Sequence, residues 1–66
     1  MEDIDVWHSA HHMMKRYGDD ATVRAAMRAD ALLAAGDTKG FHVWQRIVGA
    51  IGELGREKPS PSEPVN

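Results

Sequence analysis

The clearest periodic signal in the chain lies near its C-terminal end, in Phe41-His42-Val43-Trp44-Gln45-Arg46-Ile47-Val48-Gly49-Ala50-Ile51-Gly52-Glu53-Leu54. At about 100° per residue, Val43, Trp44, Ile47, Ala50, Ile51 and Leu54 fall on one arc, with Phe41 and Val48 at its edge. His42, Gln45, Arg46, Gly49 and Glu53 take the opposite side. So apolar a face must be buried, and the pattern predicts a helix over 38–54. Gly49, on the polar side, and Gly52, near its edge, each weaken that helix by up to about 1 kcal/mol relative to Ala.

A second amphipathic stretch opens the chain. Val6, Trp7, Ala10, Met13, Met14 and Tyr17 share one arc, and Asp5, His8, Ser9, His12, Lys15 and Arg16 the other. Acidic residues at its start and Lys15 and Arg16 at its end suit the helix dipole, which predicts a helix over 3–17. Between these stretches, 20–35 is rich in alanine. Val23, Ala26, Met27, Ala31, Leu32, Leu33 and Ala34 give it a broad apolar surface, and Arg24 and Arg28 form the one definite polar ridge. Small residues on several sides let neighbours approach closely, which predicts that this helix is the central one.

Gly18-Asp19 and Gly36-Asp37 punctuate the chain. Each predicts a left-handed Gly closing one helix and an Asp capping the next, with a sharp reversal between neighbours. The flanking apolar positions do not superpose, so the two marks are no internal repeat. The expected fold is therefore all-α: three helices and two tight Gly-Asp turns. Residues 1–55 form one small domain, and 56–66, with three prolines and no apolar period, form a disordered tail.

Composition narrows the function classes. Sixty-six residues allow one domain, and without cysteine there is no disulfide or thiolate chemistry to support it. No apolar run approaches the roughly 20 residues of a membrane span or the roughly 7–15 of a signal-peptide core, so a cytoplasmic protein with no membrane partner is expected. The formal net charge of −2 is a poor match for phosphate backbones and argues against nucleic acid. A helix-turn-helix reading, with His42, Gln45, Arg46 and Gly49 offered to a groove, ranks third among the functions considered.

Four histidines carry the candidate chemistry. His8 and His12, at i and i+4, put two imidazoles on one helix face, the geometry of a two-point metal chelate, with Asp5 one turn earlier. One helix supplies too few ligands for a tight site. A second chain or His42 would have to complete it, and a solvated polar face is the favoured reading. His11 borders the apolar arc as a half-buried side chain. No nucleophile, base and acid can be assembled around it or Ser9, so neither an enzyme nor a cofactor is expected. Asp30 lies on the apolar side of the second helix, where the favoured reading has it accept an indole N–H from Trp7 or Trp44 or pair with an arginine, and the other has it mark a polar contact in an interface. Pro61 and Pro64 match a PxxP spacing, weakly for so short a tail.

Large apolar side chains outnumber what a monomeric core of this length comfortably holds. Phe41, Trp44, Ile47, Ile51 and Trp7 are accordingly candidates for an interface as well as for the core. The expected function is a non-enzymatic interaction or regulatory module acting through helix faces, with a second copy or another protein as partner. The alternative is a transition-metal-binding protein.

The run Arg28-Ala-Asp-Ala-Leu-Leu-Ala-Ala-Gly-Asp-Thr-Lys-Gly-Phe-His-Val-Trp-Gln-Arg-Ile-Val-Gly-Ala-Ile-Gly-Glu-Leu54 resembles a family of short uncharacterised bacterial proteins, a domain of unknown function. Its pattern is close to RADxLLxxGDxxGxxxWxxIxxAIxxL, after an amphipathic helix with an early Trp. Trp7 and Tyr17-Gly18 match that first part loosely, so the likeness covers most of 4–54. It implies a small all-helical protein and carries over no catalytic or binding residue.

Overall fold

The computed structural model of the chain describes residues 3–57. Among these every regular element is helical: α1 (Asp3–Tyr17), a 3-10 turn (Gly18–Asp20), α2 (Ala21–Ala34) and α3 (Thr38–Glu57). Helix α3 runs past its expected end, through Gly55 to Arg56 and Glu57, and Arg56 pairs there with Glu53 one turn back. Residues 58–66 of the expected tail, Pro61 and Pro64 with them, lie outside the described residues.

The turn between α2 and α3 forms as its sequence predicts. Gly36 sits at φ +84°, so the N–H of Gly36 reaches the Leu33 carbonyl at 3.0 Å and that of Asp37 reaches Leu32 at 2.8 Å. This double closure satisfies carbonyls that the end of α2 would otherwise leave unpaired. Asp37 then starts α3: its carbonyl accepts from Phe41 N–H at 3.0 Å, and its Oδ1 from Gly40 N–H at 2.9 Å. One residue thus closes one helix and caps the next.

The first punctuation mark is only half realised. Gly18 is left-handed at φ +57°, but Asp19 caps nothing; both aspartates lie in the 3-10 turn, and Asp20, at the head of α2, makes no side-chain cap. The chain tightens into that turn and re-enters a helix directly, leaving no extended residue whose carboxylate could fold back on the first turn.

Packing also corrects the expected centre. Helix α3 packs against both other helices, and α1 and α2 touch each other much less. The buried core is Val6 and Ala10 of α1, Ala21, Ala25 and Ala29 of α2, and Ile47, Ala50 and Ile51 of α3. Met13, Met14, Tyr17, Val43, Trp44, Val48 and Leu54 pack around it half-buried. The α2 alanines recur every fourth residue, a row thin enough to let α3 approach closely. The larger side chains of α2 point elsewhere.

Candidate functional site

Helix α2 turns large apolar side chains outward beside its exposed Arg24, Arg28 and Asp30. Val23 is 59% exposed, Met27 60% and Leu33 50%, and on α1 Ile4 is 62% and Trp7 43% exposed. The large apolar side chains that are buried are Val6, Ile47 and Ile51, and alanines fill the rest of the helix contacts. Five bulky apolar side chains are therefore left at the surface, outside the half-buried shell that packs against the core.

The most organised part of this surface is a groove where α1, α2 and α3 meet. It encloses about 340 Å³ and is lined by Met13, Tyr17, Arg24, Met27, Arg28 and Trp44. Two arginines are laid over its aromatic rings. The Arg24 guanidinium lies 5.2 Å from the Tyr17 ring centre and that of Arg28 5.8 Å from Trp44, while Arg16 approaches Tyr17 from its own helix at 5.6 Å. Within about 6 Å of a ring centre a guanidinium is attracted to the ring's negative face, which uses none of its N–H donors for a hydrogen bond. The ion pairs among the described residues are Arg46–Asp3 and Arg56–Glu53, so Arg16, Arg24 and Arg28 have no carboxylate partner there.

A second groove, of about 460 Å³, runs between α1 and α3 and is lined by Asp3, Val6, Trp7, Arg46, Gly49, Ala50 and Glu53. Arg46, expected on the free polar face of α3, reaches across to Asp3 here. Both partners are substantially exposed, so the pair contributes at most about 1 kcal/mol. His11, expected to be half-buried, is exposed beside Met14, Lys15 and Leu54.

No family model, curated protein or solved structure matches this chain.

The remaining candidates divide between core and surface. Ile47, at 1% exposure, and Ile51, at 4%, are core residues of the single chain. Trp44 and Phe41 are half-buried, the latter tilted against the exposed His42 with ring centres 5.3 Å apart. Trp7 is the most exposed of these aromatics. His8 and His12 are both exposed, and the described residues hold no group of three or more His, Asp or Glu placed to share a metal ion. Asp30 is exposed and takes neither an indole N–H nor an arginine among the described residues; Arg28 covers Trp44 instead. No described helix is long and apolar enough to cross a membrane.

The groove itself escapes a reading by periodicity. Arg24 and Arg28 register only as a polar ridge and Tyr17 only as part of an apolar arc. One signal was available: Arg28 and Trp44 lie nearly equidistant from the Gly36-Asp37 turn, so a helical hairpin must bring them side by side.

Proposed function

We propose that the chain is a non-enzymatic, three-helix interaction module of the cytoplasm that works through its outward helix faces, with self-association into a homodimer as its simplest form. The observation that carries this reading is the exposed set Val23, Met27, Leu33, Ile4 and Trp7, set against a core built largely of alanine. Bulky apolar side chains left at the surface are the raw material of contact sites on small domains. A domain this small also has little core of its own, and burying these side chains against a partner supplies stability that folding alone does not.

Native mass spectrometry of the full chain tests the proposal. The expected result is a mass of two chains, reduced to one by Met27→Lys, which sets a charge on the outward face of α2 without touching the core. A single-chain mass for the unaltered protein, retained with proteins of its own host present, contradicts it.

A further inference from the structure

The groove between Tyr17 and Trp44 has a defined chemistry. Its lining is thioether and aromatic, suited to an aliphatic side chain, and its rim carries two guanidiniums that have no carboxylate partner among the described residues. An occupant that satisfies it is an apolar side chain flanked by carboxylates. The chain carries such a segment itself. Ile4, at 62% the most exposed large apolar side chain among the described residues, stands between Asp3 and Asp5 in the first turn of α1. Asp3 holds Arg46 of its own chain; Asp5 is exposed and unpaired among the described residues.

We propose that the Asp3-Ile4-Asp5 turn of a second copy seats in this groove, with Ile4 against Met13 and Met27 and Asp5 on the Arg24–Arg28 rim. The proposal rests on the self-association reading and names the two surfaces that meet. They differ in sequence and carry opposite local charge, so two copies related by a twofold axis would make the contact twice. A net charge of only −2 sets little long-range repulsion against that local attraction. Association built this way weakens as salt rises, because its ion pairs sit at a partly solvated rim. Its apolar share persists.

A charge exchange between two variants of the full chain tests it, read by size-exclusion chromatography with light scattering. Asp5→Lys sets a cation against the arginine rim, and Arg28→Glu sets an anion against Asp5. Both positions are exposed, and far-UV circular dichroism checks that each variant keeps its helices. Each variant alone should dimerise at least about ten-fold more weakly than the parent chain. An equimolar mixture should recover the parent affinity, since the introduced lysine of one variant then meets the introduced glutamate of the other while the second contact stays native. Ile4→Ser should weaken association without any charge change. A parent dimer that both reversals leave intact, or a mixture that fails to recover, overturns this contact and leaves self-association standing. A parent chain that elutes as a monomer at about 1 mM, the weak end of specific association, overturns both.

Discussion

Asp37 and Gly40 are fitted to each other. The Gly40 N–H donates to Asp37 Oδ1 at 2.9 Å, and a Cβ on Gly40 would lie 2.6 Å from Oδ2 of the same carboxylate. The cap therefore occupies the space that glycine leaves open at the third position of α3, so the two residues should not mutate independently. Asp37→Ala should cost about 1 kcal/mol, the usual worth of such a cap, and lower Tm by roughly 4–8 °C in a domain of this size. Gly40→Ala should give little or no gain in the native chain, because the carboxylate must move. In the Asp37→Ala background it should stabilise by up to about 1 kcal/mol through helix propensity. Thermal melts of the four proteins give the coupling directly; additive effects would contradict the fit.

The glycines should split by conformation. Gly36 holds φ +84°, a region where a Cβ meets the following carbonyl, so Gly36→Ala should destabilise by about 1–2 kcal/mol. Gly49 is an exposed helical residue with open space where a Cβ would go. Gly49→Ala should therefore stabilise by about 0.5–1 kcal/mol. Urea titrations of the two variants should move their midpoints in opposite directions.

Size should not predict sensitivity on α2. Ala25 is fully buried, and Ala25→Leu should cost about 1–3 kcal/mol by overpacking the contact with α3. Ile47→Val, in the core centre, should cost about 0.5–1.5 kcal/mol. Met27→Gln, though it removes a larger apolar side chain, should change single-chain stability by less than about 0.5 kcal/mol. Denaturant melts at low protein concentration, where association does not contribute, check the order.

How far the sequence could be read follows from the physics of each element. Helix α3 is legible because its apolar and polar sides are cleanly separated and it lies at the centre, so periodicity and burial agree. Helix α2 is not, because its largest apolar side chains stand on the outward side among Arg24, Arg28 and Asp30. Hydrophobicity ranks Val23 and Met27 above Ala21, Ala25 and Ala29, whereas close approach to α3 selects the alanines. Asp37 was legible as a cap from local chemistry. Asp19 was not, since nothing nearby distinguishes a reversal with a fresh cap from a tight 3-10 continuation. The stacked arginines depend on contacts between helices, which local periodicity does not carry.

On the proposed reading, the exposed apolar side chains of α1 and α2 are contact surfaces. Sedimentation velocity of the unaltered full chain, from about 10 μM to about 1 mM, spans the range of weak specific association in which they would act. The expected result is a shift toward a two-chain species as concentration rises, lost in Met27→Lys. A single-chain species throughout that range, identical in the variant, would contradict it.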